Sequence, residues 1–156
     1  MSLDPVDHSI LAELQRDGRV SISELAARVH VSRATAYARL ARLRDDGVIR
    51  SVRAEVDPEK IGLGLGAIIL GDVEQASWRR VRERLLGLPG VEFLALTSGG
   101  LDFVLFVRAP DLAALRDLVL LELHDMPEVR TTQTMVVLDE VRRPVADLAR
   151  RAPAGP

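Results

Sequence analysis

Residues 23–49, SELAARVHVSRATAYARLARLRDDGVI, constrain the fold more than any other stretch of the chain. Leu25, Ala26 and Val29 recur at helical spacing behind Ser23, which is placed to cap a first helix with Ala26 at the third helical position. Ser32 is placed to cap a second helix through the amide of Thr35. Ala36, Leu40 and Leu43 then follow at i, i+4 and i+7 as one apolar stripe. Two short helices with so brief a connection must cross steeply. With their apolar faces shared, the second protrudes and carries Arg33, Tyr37, Arg39, Arg42 and Arg44 away from the stripe, which is helix-turn-helix geometry.

Charge supports that geometry locally, not globally. The formal net charge of the 156 residues is −2, yet residues 28–53 hold Arg28, Arg33, Arg39, Arg42, Arg44, Arg50 and Arg53 against Asp45 and Asp46. A basic patch on a mildly acidic chain suits phosphate. Any one of these arginines reads equally well as part of a solvated face, whereas the set points to DNA. With 47% hydrophobic residues the chain can fill one ordinary domain or two small ones. The absence of cysteine excludes disulfides and thiol chemistry and suits a reducing cytoplasm. Asp4, Asp7 and His8 interrupt any apolar leader, and no apolar run is long enough to span a bilayer, so a soluble, cytoplasmic protein with no membrane partner is expected.

In chain order, a first helix is expected from about Pro5 to Arg16, capped by Asp4, with Val6, Ile10, Leu11 and Leu14 inward. Gly47 suits the end of the recognition helix. Residues 48–56 alternate enough to be a strand, a wing or a strap to the next domain. Asp57-Pro58 and Gly62, Gly64 and Gly66 then break the pattern. Beyond them the spacing predicts strand 65–73, a helix capped by Ser77 to about Leu88, strand 91–97, strand 101–108, a helix from Asp111 to about His124, and strand 129–141. This βαββαβ order is that of a ferredoxin-like split unit. The expected class is therefore α+β, with a three-helix winged helix-turn-helix domain (1–51), a linker strand (52–64), a ferredoxin-like domain (65–141) and a C-terminal tail (142–156).

Two faces of the sheet must be covered. Phe103, Leu105 and Val107 alternate with Val104 and Phe106, and Ile68 and Leu70 alternate with Ala67 and Ile69, so the strands are apolar on both sides. Helices cover one. The economical cover for the other is a second copy, sheet against sheet.

The inventory for catalysis is poor. His8, His30 and His124 fall on separate elements without metal-ligand spacing, and no serine-histidine-acid pattern is visible, so no catalytic residue, metal or cofactor is expected. Thr97-Ser98-Gly99-Gly100-Leu101-Asp102 is more interesting. It reads either as an ordinary hairpin turn or as a loop whose amides, hydroxyls and carboxylate would suit an amino-acid zwitterion.

The residues Leu3-Asp4, Asp7, Ile10-Leu11, Leu14-Gln15, Asp17-Gly18-Arg19, Leu25-Ala26, Ser32, Arg39-Leu40, Leu43 and Gly47-Val48-Ile49, with the C-terminal pattern, resemble the Lrp/AsnC (feast/famine) family of transcriptional regulators. His30 departs from the family's frequent turn glycine, and histidine tolerates positive φ better than most residues. The resemblance implies a regulator of transcription that binds double-stranded DNA through Ser32, Arg33, Thr35, Tyr37, Arg39 and Arg42. It implies a small effector, usually an amino acid, beside Thr97, Ser98, Gly99, Gly100, Leu101 and Asp102. Thr132 and Thr134, with Thr131, offer another wall, although alternating threonines also simply suit a strand. It further implies a homodimer that assembles into tetramers or octamers, with residues 48–56 strapped to the partner subunit. A haem-pathway decarboxylase and a ligand-independent architectural DNA-binding protein are the alternatives.

Overall fold

Asp4 begins the first helix, and its carboxylate accepts from the Asp7 amide while the Asp7 carboxylate accepts from the Asp4 amide. This reciprocal capping box satisfies donors that a helix N-terminus otherwise leaves open. The computed structural model describes residues 3–74 and 78–142, in two units, one up to Glu55 and one over Val56–Glu140. In the first unit, α1 (Pro5–Arg16), α2 (Ile22–Arg28) and α3 (Arg33–Asp45) close on Ile10, Leu25, Val29 and Leu43. Val6, Leu11, Leu14 and Ile49 pack around that centre.

The cap of α2 differs from expectation. Ser21, not Ser23, is the N-cap, and its hydroxyl accepts from the Glu24 amide. The physical signal is Glu24 itself, an acid at the third helical position counted from Ser21, favourable in the first turn. Ser32 caps α3 as expected, accepting from the Thr35 amide at 3.1 Å. His30 sits in the turn at φ 57, and Gly47 ends α3 at φ 70, donating to the Arg44 carbonyl. The expected strand over residues 48–56 and its continuation to 64 does not form. Among the described residues no strand pairs with it, and an extended segment without a ladder partner is not a strand. Val52 packs at Gly18, where a Cβ would lie 2.6 Å from its Cγ1, while Val56 stays exposed.

The second unit is a four-stranded antiparallel sheet, β1 (Leu65–Val73), β2 (Val91–Leu96), β3 (Phe103–Ala109) and β4 (Val129–Val136), in the order β2-β3-β1-β4. With α4 (Trp78–Gly87) and α5 (Leu112–Asp117) on one face, this is the ferredoxin-like arrangement. The expected Ser77 cap lies outside the described residues, as does most of the C-terminal tail. Asp111 caps α5 through the Ala114 amide. The single helix expected to His124 instead changes at Leu118 into a π-helical turn, Leu118–Leu123, which keeps Leu118 and Leu123 buried and turns Leu120 and Leu121 outward. Strand β4 stops at Val136, short of Val141. Val137 still donates to the Gly66 carbonyl, but β1 begins at Leu65 and offers nothing further to pair with.

Register fixes the two faces. Ala67, Ile69 and Val73 with Phe103, Leu105 and Val107 lie on the helix side with Val81, Leu85, Leu115, Leu118 and Leu123. Burying each such aliphatic side chain contributes roughly 1.5–3 kcal/mol. On the other side Ile68 stands opposite Phe106 and Met135, and Leu70 opposite Val104. Among the described residues no helix lies over that second apolar row.

Candidate nucleic-acid interface and effector loop

Because Ala36, Leu40 and Leu43 are buried, helical geometry turns Arg33, Ala34, Tyr37 and Ala38 outward, and all four are exposed. Tyr37 is 66% exposed, unusual for a large aromatic side chain with nothing to solvate but its hydroxyl. Ser32 and Thr35 stand at the N-terminus, hydroxyl to hydroxyl at 2.8 Å. This end presents amides and a partial positive charge, which favours phosphate. Arg33, Tyr37, Ser32 and Thr35 therefore lie together at one end of α3.

Arg39 and Arg42 lie farther along the same helix and both reach α1, Arg39 half-buried and Arg42 exposed. Arg39 Nη1 donates to Asp7 Oδ1 at 2.9 Å and also to Asp4 Oδ2, and Arg42 Nη2 donates to Asp7 Oδ2 at 2.6 Å. The Asp7 side chain is 1% exposed. Burial pushes its carboxyl up, but the Asp4 amide and the two guanidiniums outweigh that and hold it below the ordinary carboxylate range. The Asp7 amide and Arg39 likewise hold Asp4 low. Sequence reasoning missed Asp7 as a structural residue. The available signal was its phase, since Asp7, Ile10 and Leu14 fall on one helical face, where a carboxylate needs cationic partners.

In the second unit the β2–β3 loop is closed by Thr97, whose amide donates to the Asp102 carbonyl at 2.9 Å and whose hydroxyl donates to the Leu101 carbonyl. Asp102 is pinned to β1, its amide donating to the Gly71 carbonyl and its Oδ2 accepting from the Val73 amide at 3.0 Å. Thr97, Ser98, Gly99 and Gly100 are exposed, whereas Leu101 and Asp102 are half-buried. Gly71 pairs with Phe103 on one side and Thr132 on the other, so Thr132 shares the loop's end of the sheet. Thr134 lies opposite Ile69, two residues farther along. Thr131 donates to Asp72 at 2.7 Å. Gly99 has φ 150, while a Cβ on either Gly99 or Gly100 would meet nothing within 4 Å in this chain. Within one subunit, then, Gly100 has room for a side chain.

Among the described residues no group of three or more histidines, acids or cysteines is placed to hold a metal, and no helix is long and apolar enough to cross a membrane.

Residues 3–50 match the winged helix-turn-helix DNA-binding model, and residues 67–146 match the Lrp/AsnC ligand-binding domain. An HTH-type transcriptional regulator of Pyrococcus abyssi is 37% identical over 88% of this chain and 87% of its own length. The leucine-responsive regulatory protein of Rhizobium meliloti is 34% identical over 91% and 93%. A transcriptional regulator of Neisseria meningitidis, solved in complex with L-Met, superposes with a TM-score of 0.86 at 29% identity, covering 93% of this chain and 96% of that one. A winged helix-turn-helix unit joined to an Lrp/AsnC ligand-binding unit, with relatives matched over most of both chains, places this chain in the Lrp/AsnC family of transcriptional regulators.

Proposed function

We propose that the chain reads DNA in the cytoplasm as a homodimer and that an amino acid bound at the 97–102 loop changes how dimers associate into tetramers or octamers. The observation that carries the DNA reading is the uncovered outward face of α3, with Arg33 and Tyr37 exposed beside a capped N-terminus. Arginine pairs with guanine in the major groove, and a good base contact supplies about 1–3 kcal/mol of discrimination. Ser32 and Thr35 then serve phosphate. The dimer is supported by the row Ile68, Leu70, Val104, Phe106 and Met135, an apolar face that a second sheet would cover. Two linked readers gain affinity by effective concentration alone, roughly 10²- to 10⁴-fold.

For the effector, Gly99 and Gly100 expose amides that suit a carboxylate, Asp102 and the hydroxyls of Thr97 and Ser98 suit an ammonium, and Thr132 and Thr134 border the same sheet. The L-Met bound to the Neisseria relative supports an amino acid as the class. A ligand touching two dimers shifts assembly only by its differential affinity, about 1.4 kcal/mol per site for a tenfold preference. Calorimetry with each amino acid, run with sedimentation and binding to a duplex library, is the test. Equal ligand affinity in wild type and Asp102→Ala removes Asp102 from the site, and unchanged assembly removes the mechanism. Library preference that survives Arg33→Ala unaltered removes Arg33 from base reading.

A further inference from the structure

We propose that Asp7 is the positioning residue of the DNA-reading helix, and that Arg39 serves this clamp instead of a DNA phosphate; the inference rests on the DNA reading proposed above. Asp7 is buried to 1% exposure, and both of its oxygens are engaged by α3, Oδ1 by Arg39 and Oδ2 by Arg42. Arg39 and Arg42 are one turn apart, so a single carboxylate grips α3 at two heights. Rotation or sliding of α3 would break at least one of these charge-assisted bonds. The carboxylate is itself fixed, because Oδ2 also accepts from the Asp4 amide within the capping box, and Asp4 reaches Arg39 as well. The start of α1 therefore sets the azimuth of α3 and with it the direction of Arg33 and Tyr37. Hydrophobic contacts alone define that angle loosely, since on the described face of α3 they come down to Ala36, Leu40 and Leu43.

Simple electrostatics makes the opposite prediction, which renders the proposal testable. Removing a negative charge beside a DNA-binding helix should strengthen binding to every duplex. A positioning role instead weakens preferred sequences while sparing unrelated ones. The experiment uses the full chain with Asp7→Asn, which keeps the side-chain shape, and Arg39→Gln, which leaves Asp7 its bond from Arg42. Affinities for a duplex selected from a random library and for an unrelated duplex are measured over a series of salt concentrations, alongside thermal unfolding.

The expected result is a fall of about tenfold in the preferred-to-unrelated ratio for each variant. The salt slope should stay unchanged, and the double variant should be no worse than Asp7→Asn alone. A ratio retained in Asp7→Asn, or a uniform loss in Arg39→Gln with a slope smaller by about one, overturns the proposal. If Asp7→Asn fails to fold at the assay temperature, Arg39→Gln decides by the same two readouts. If the wild-type protein itself shows no sequence preference, the DNA reading fails and carries this proposal down with it.

Discussion

In the sheet unit the fully buried side chains Ile69, Val73, Val81, Leu85, Phe103, Leu105, Val107 and Leu123 are all apolar, whereas the helical unit buries Asp7 with Ile10, Leu25 and Leu43. The sheet unit thus takes its order mainly from the removal of apolar surface, a force almost indifferent to pH, although it also buries Glu128, which accepts from Arg84 at 2.8 Å. The helical unit adds an ionised clamp that fixes one helix against another. Non-directional burial suffices for a platform that pairs with its like, but a reading helix must hold an angle, and hydrogen-bonded charge is directional. The contrast can be broken or sharpened by substitution on each side of it.

The largest effect is expected from the sheet. Leu105 is fully buried beneath both helices, and Leu105→Ala should destabilise that unit by about 2–5 kcal/mol through lost transfer energy and the cavity left behind. Denaturant unfolding followed by sedimentation should show this loss unchanged between pH 5 and pH 7. Appreciable pH dependence of that loss would contradict a purely apolar origin.

The helical unit should behave differently in acid. Asp7 and Asp4 have folded pKa values below the ordinary carboxylate range, so the unfolded chain binds their protons first as pH falls. Their contribution is therefore fully present above the unfolded value of about 4 and is lost as pH drops through the lower folded values. Asp7→Asn should lower stability at pH 7 and flatten the acid limb, without abolishing it, because Glu13, held low by Arg28 and Arg16 despite some burial, titrates in the same direction. Unfolding of wild type and Asp7→Asn from pH 7 to pH 3 gives the comparison. Parallel acid limbs would remove Asp7 as a contributor.

A smaller effect is expected at Ser32, whose hydroxyl accepts from the Thr35 amide. Ser32→Ala should cost about 1 kcal/mol of thermal stability. Preferred and unrelated duplexes should lose affinity together, because a frayed first turn loosens phosphate contact without re-aiming Tyr37.

What the sequence disclosed follows the same divide. Strand β1 runs Leu65–Val73 as read, and Asp4, Ser32 and Asp111 cap as read, because alternation and capping are local signals. What the sequence left open depends on a partner. Residues 48–56 have strand-like residues but no described neighbour to pair with, and β4 ends where β1 begins. Arg39 and Arg42 were legible as cations, but their acceptor lies more than thirty residues upstream on another helix, and no helical period reports that. Likewise the Thr97–Asp102 loop was visible from its glycines, while the pinning of Asp102 to the Val73 amide depends on the pairing of β3 with β1.

The smallest effect should come from the turn before α3. His30 holds φ 57 in the left-handed region, where a Cβ costs about 1–2 kcal/mol, and Gly47 holds φ 70 just beyond the same helix. Glycine at position 30 removes that strain but adds unfolded-state freedom worth about 0.5–1 kcal/mol, so His30→Gly should stabilise by less than about 1 kcal/mol. Gly47→Ala makes the matching control, because a Cβ there meets nothing within 4 Å and only the backbone angle is tested. It should destabilise by about 1 kcal/mol. His30 is exposed and its amide donates to the Ala27 carbonyl, a bond glycine keeps, so DNA preference should not change in His30→Gly. Denaturant melts of both variants with library binding on the first decide the matter. Loss of stability in His30→Gly would mean that the imidazole makes a contact outweighing its strain, and altered preference would place it at the DNA.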